Sequence, residues 1–150
     1  MPEADAVAEF KKGLTLLRNN CARDAIECFA RAVDLEKKNP FYYSYLGLAI
    51  ASSGHKWDTA EEICMRAIKM SRSQPELYIN LSEVYRLAGR RSEAIETLTS
   101  GMVMTKRDGR IASALNRFGR RRAPVIPFLE RDNFLNRGLG RLRSRLSKSS

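Results

Sequence analysis

The stretch PFYYSYLGLAIASSGHKWDTAEEICMRA, residues 40–67, decides the fold. Tyr43, Leu46, Gly47 and Ile50 stand at i, i+3, i+4 and i+7, one face of a 3.6-residue period. After a break at Gly54, Ala60, Ile63, Cys64, Ala67 and Ile68 follow the same spacing. Asn39 before Pro40 gives an N-cap with proline at the first helical position. Two short amphipathic helices joined by a tight turn follow. Gly47 and Ala60 fall where antiparallel helices come closest, because a side chain beyond methyl would push the axes apart.

Outward from this hairpin the pattern recurs. Helices are expected over 4–18 and 22–37, with Val7, Phe10, Leu14 and Leu17 on the face of the first and Ala25, Ile26, Phe29, Ala32, Val33 and Leu35 on the second. The hairpin itself reads as 40–53 and 58–71, with Asp58 placed to cap. Gln74-Pro75 opens a fifth helix with Leu77, Tyr78, Leu81 and Tyr85 on its face and Gly89 as its stop. Ser92 and Glu93 open a sixth, carrying Ala94, Ile95, Leu98 and Met102.

The equivalent positions keep a constant distance. Gly13, Gly47 and Ser82 are 34 and 35 residues apart; Ala25, Ala60 and Ala94, then Phe29, Cys64 and Leu98, and Ala32, Ala67 and Gly101, are 35 and 34 apart. A two-helix period of this length resembles the tetratricopeptide repeat over about residues 5–105. The resemblance implies an all-α, right-handed solenoid of three hairpins, about 4–38, 39–73 and 74–106. The sequence departs from the pattern in two ways. Pro40 and Pro75 come about three residues late, which implies longer second helices, and Gly54-His55-Lys56-Trp57 implies a turn with one extra residue. Such an array leaves an apolar end face that needs a cap. A seventh helix within 109–122, with Ile111, Ala114, Leu115 and Phe118 at helical spacing, supplies it. Residues 123–150 then form a Pro-containing linker and a basic amphipathic tail.

Charge is distributed in the same modular way. Of the formal net charge of +10, residues 1–105 contribute nothing, with 14 basic residues against 14 acidic, and residues 106–150 contribute everything, with 13 against 3. Basic character is therefore a tail property. Cys21, Cys28 and Cys64 are odd in number and lack metal-ligand spacing, so they read as structural thiols in a reducing compartment. The acidic start Met1-Pro-Glu-Ala-Asp has no apolar run, so no signal peptide is expected, and no window approaches a membrane span. A cytoplasmic location is the expectation. The single histidine, His55, lies in a turn with no nucleophile or carboxylate set around it. No enzyme activity, cofactor or metal is expected.

The resemblance implies a binding surface instead. In this family the first helix of each pair lines a groove, which here would present Phe10, Lys11 and Leu14, then Phe41, Ser44, Tyr45 and Leu48, then Glu76, Ile79, Asn80, Glu83 and Arg86. Family members that grip acidic chaperone tails use lysines, asparagines and an arginine at places held here by Phe10, Leu14, Tyr45, Glu76 and Asn80. Only Asn80 fits, so that clamp is not expected. Asn80 reads either as a donor to a ligand's backbone or as a solvated polar residue. The expected partner is a protein or peptide presenting leucines more than carboxylates.

The tail itself qualifies. Val125-Ile126-Pro127-Phe128-Leu129 is apolar, and Phe134, Leu135, Leu139, Leu142 and Leu146 form a stripe bordered by Arg137, Arg141, Arg143 and Arg145. That stripe suits docking into a groove, in its own chain or in a second copy as a tail-exchanged homodimer. Its charge alternatively suits an anionic membrane or nonspecific nucleic-acid contact. Such an Arg/Leu-rich ending is similar to those of small bacterial repeat proteins, which implies a bacterial adaptor.

Overall fold

A computed structural model describes residues 2–120, and among them these apolar spacings form seven helices and no strand. In order they are α1 (Pro2–Arg18), α2 (Ala22–Leu35), α3 (Pro40–Ser53), α4 (Trp57–Met70), α5 (Pro75–Leu87), α6 (Arg91–Met104) and α7 (Gly109–Arg120). The tail segment, with the anchors Phe134, Leu135, Leu139, Leu142 and Leu146 and the arginines Arg137, Arg141, Arg143 and Arg145, lies outside the described residues.

Consecutive helices pack as α1–α2, α3–α4 and α5–α6 hairpins, and α7 rests on α5 and α6. The first helices also touch in sequence, α1 to α3, α3 to α5 and α5 to α7. The second helices meet their hairpin partner and the next first helix rather than one another in a row. A stack bends toward its more closely spaced row, so α1, α3, α5 and α7 line the inner face.

Local chemistry sets the helix ends. Asn39 caps α3 through Oδ1, which accepts from the Phe41 amide at 2.9 Å. Left-handed residues close the short turns: Asn20 (φ 62°) before α2 and Gly89 (φ 76°) before α6. There the amides of Cys21 and Arg90 reach back to the carbonyls of Leu16 and Tyr85, each at 2.8 Å. Asp58 does not cap α4; Lys56 precedes the helix, and Asp58 sits inside the first turn, favourably placed against the helix dipole.

Three other expectations change. The extra residue of the middle hairpin falls at the end of α3, which has 14 residues against 13 in α5, and the turn keeps three residues. The late prolines do not lengthen the second helices, because α2 and α4 end at Leu35 and Met70 and four-residue turns take up the shift. Val7 and Leu35 are exposed, and Ala6 takes the buried place in α1, against Ala32 and Tyr42. A small residue suits that crossing, where an aromatic ring already fills the space.

Gly47 does what its position implied. A Cβ there would lie 2.5 Å from Cys64 Sγ and 2.9 Å from the Ala60 carbonyl oxygen, so only glycine admits α4 at this distance. Gly13 against Phe29 and Gly101 against Tyr78 repeat the device in the other hairpins.

Candidate functional site

The inner face has two unlike halves. Toward α1 it is aromatic. Phe10 packs against Phe29, Tyr42 and Tyr45, with ring centroids 5.7, 4.9 and 5.4 Å apart. Leu14 packs against the cluster of Ala25, Phe29 and Ala49, Phe41 against that of Tyr43, Ala67 and Leu77, and Leu48 against the larger cluster that contains Ala51, Leu81 and Val84. Phe10, Leu14, Phe41, Tyr45 and Leu48 are thus half-buried by packing within the fold, while Lys11 is exposed.

A polar joint follows at the centre. Ser44 and Asn80 are buried, and Asn80 Nδ2 donates to Ser44 Oγ at 3.0 Å, tying α3 to α5. Cys64 Sγ donates to the Ser44 carbonyl at 3.4 Å. Tyr45 belongs to the same group. Burial, and then the Glu76 carboxylate, push its hydroxyl up to about 12, with a hydrogen bond to Asn80 opposing. Asn80 is therefore not solvated, and its amide is committed to the joint.

Beyond it the face opens into a cleft of about 630 Å³ between α5 and α7. Ile79, Ala114 and Phe118 provide apolar wall, and Glu83, Arg86 and Arg117 provide charge. Arg86 Nε donates to both Glu83 carboxylate oxygens at 2.9 Å, a pairing that raises the guanidinium pKa. Arg91 donates to the Phe118 carbonyl and lies over its ring at 5.9 Å, which fixes α7 to α6. Arg117 is exposed.

Of the residues read as groove, the structure gathers Ile79, Asn80, Glu83 and Arg86 around this cleft and places Phe10, Leu14 and Tyr45 in the aromatic cluster away from it. Ser82, Gly89, Arg91, Ala114, Arg117 and Phe118 complete the lining and were not read as site. A signal existed: Leu48, Glu83 and Arg117 are 35 and 34 residues apart, so α7 repeats the register of a first helix.

The reactive side chains stand apart from the cleft. Burial pushes the Cys64 thiol up to about 12, and burial followed by Glu9 raises that of Cys28. His55 is exposed on the α3–α4 turn, its ring 6.5 Å from that of Trp57.

No family model and no curated protein matches the sequence. Solved structures do. The first TPR of Spaghetti (RPAP3), bound to the HSP90 peptide SRMEEVD, is 18% identical, with a TM-score of 0.64 over 79% of this chain and 96% of that one. The chain has the tetratricopeptide-repeat fold. The Arabidopsis OM64 TPR domain is 16% identical, with a TM-score of 0.62 over 81% of this chain and all of that one (100%). MamA is 21% identical, with a TM-score of 0.61 over 97% and 81%. In tetratricopeptide-repeat terms, α1, α3 and α5 are the first helices of three hairpins, and α7 extends their row.

Proposed function

We propose that this chain is a non-enzymatic interaction scaffold that seats a protein segment on its inner face, anchored in the α5–α7 cleft. The observation that carries this is the cleft itself. It pairs an apolar wall of Ile79, Ala114 and Phe118 with charged groups at Glu83, Arg86 and Arg117, which suits an amphipathic segment. The similar RPAP3 domain, which holds an HSP90 peptide, supports peptide binding as the use of such a face. The acidic end of that peptide is not what this face is built for. Arg86 is already paired with Glu83, Glu76 borders Tyr45, and the Asn80 amide is engaged by Ser44.

The segment after α7 is the occupant that the sequence itself supplies. It follows directly from the helix whose last turn carries Phe118 into the cleft, and it brings Val125 to Leu129 and the stripe Leu135, Leu139, Leu142 and Leu146. The test is a fluorescent peptide of residues 123–146 titrated into chain ended at Ala123. Saturable binding that weakens at least tenfold with Ile79→Asp is expected, and truncation should lower the melting temperature of the chain. No binding, with unchanged melting and mass on truncation, would overturn the reading. A halving of mass on truncation would identify exchange between two copies.

A further inference from the structure

The second helices end alike. Leu35, Met70 and Met104 close α2, α4 and α6, 35 and 34 residues apart, and are 41, 39 and 42% exposed. Val103 beside Met104 is 72% exposed, the most exposed large apolar side chain among the described residues. Four of the six exposed large apolar residues thus belong to one register position or its neighbour. In a stack of hairpins the second helices run parallel, so these ends lie along one edge, that of the turns 36–39, 71–74 and 105–108.

Cations accompany each apolar tip. Lys37 and Lys38 follow Leu35, Lys69 and Arg72 flank Met70, and Lys106 and Arg107 follow Met104; all six are exposed. None joins the ion pairs of the described residues, whose basic partners are Arg31, Arg86, Arg90 and Arg110. The acids of the same edge offset them only in part. Asp108 is bound to Arg110, Glu36 is half-buried beside Tyr42, Glu76 in the first turn of α5 is half-buried beside Tyr45, and Asp34, Glu3 and Asp5 lie toward the α1 end. Helix C-termini add partial negative charge, which accounts for one or two such cations but not for the apolar tip beside them. That tip costs solvation in every repeat.

We infer that the edge formed by the α2–α3, α4–α5 and α6–α7 turns docks on an anionic lipid surface, with Leu35, Met70, Val103 and Met104 entering the headgroup layer and Lys37, Lys38, Lys69, Arg72, Lys106 and Arg107 meeting phosphates. Apolar tips beside cations are the composition of an interfacial element. The tips are aliphatic or thioether rather than aromatic, which gives nucleic-acid bases nothing to stack on. No helix of the described residues is long and apolar enough to cross a membrane, so the contact is peripheral. It is separate from the inner face and leaves the cleft free.

The test uses the full chain and vesicles of phosphatidylcholine with and without phosphatidylserine. Binding should require phosphatidylserine. Arg72→Gln with Lys106→Asn and Arg107→Asn should weaken it about a hundredfold, at about fivefold per cation. Asparagine suits the last two sites because both have positive φ, 56° and 63°. Met70→Ser with Val103→Ser and Met104→Ser should weaken binding at least tenfold at unchanged charge. Val103→Trp should shift its emission to the blue on phosphatidylserine vesicles, beyond any change from the native Trp57. Vesicle binding untouched by the cation variant would overturn the inference, because another segment would then carry it. Loss with the cation variant alone, no blue shift, and displacement of vesicles by duplex DNA would also overturn it, in favour of a phosphate-binding surface for nucleic acid.

Discussion

Replacing Gly47 by alanine probes the contact that holds the middle hairpin. The new methyl would stand 2.5 Å from Cys64 Sγ, 2.9 Å from the Ala60 carbonyl oxygen and 3.3 Å from the Cys64 amide nitrogen. Two of these atoms are backbone, so no side-chain rotation relieves the overlap and α3 must move off α4. Overpacking of this kind costs about 1–3 kcal/mol, and the rigid neighbours put this site at the upper end. Alanine's better helix propensity returns about 1 kcal/mol. The expected loss is therefore about 2 kcal/mol, a fall of about 4–8 °C in melting temperature for a chain of this size. Urea unfolding followed by circular dichroism measures it. Adding Cys64→Ala removes the nearest atom, so the double variant should lose about 1 kcal/mol less than the sum of the singles. Gly119→Ala, with nothing within 4 Å of its new methyl, should instead gain about 0.5 kcal/mol. A Gly47→Ala chain as stable as the parent, or strict additivity with Cys64→Ala, would refute the close-approach argument.

Asn80→Ala should cost about 1–3 kcal/mol in the same assay, since it strands the buried Ser44 hydroxyl and takes a partner from Tyr45. Arg90 bonds Glu93 and, at 2.6 Å, Glu61, and covers the Tyr85 ring; Arg90→Met should cost about 1–2 kcal/mol, and Glu61→Gln should add little on top of it. Stability should also fall in strong alkali. Tyr45 and Tyr85 are pushed up to about 12, chiefly by burial, so the folded chain holds their protons where the unfolded chain releases them. That contribution is complete below the ordinary tyrosine value of 10 and disappears as pH rises through 12; thermal melts across this range should show a shallower decline for Tyr45→Phe.

Much of the fold was readable because repetition makes one inference serve three times. Small residues at Gly13, Gly47 and Ser82, opposite Ala25, Ala60 and Ala94, mark the helix crossings in sequence, and the folded chain crosses there. Turn details were less readable: whether a residue extends α3 or enters its turn changes no hydrophobic face, so periodicity is silent about it. The lining of the candidate cleft was partly readable. The spacing of a first helix finds Ile79, Asn80, Glu83 and Arg86, but does not tell which inner-facing aromatic rings consume one another. Phe10 and Tyr45 look like groove in sequence and are wrapped in each other's company in the structure. Nor does it show that Asn80 meets Ser44, a pairing between hairpins 36 residues apart.

The two joints of the array differ in kind. Between the second and third hairpins, Asn80 grips Ser44 on the inside, and Arg90, in the turn before α6, grips Glu61 of α4. Hydrogen bonds of fixed length and direction clamp a joint against both opening and twist. Between the first and second hairpins, Phe10 packs against Tyr42 and Tyr45 at tilts of 40° and 75°. Ring pairs are satisfied by more than one arrangement, offset-stacked or edge-to-face. Among the described residues, directional bonds thus join α3 and α4 to α5 and α6, whereas ring packing joins α1 and α2 to α3. Amide exchange in α1 and α2 is therefore expected to be faster than in α3 to α7.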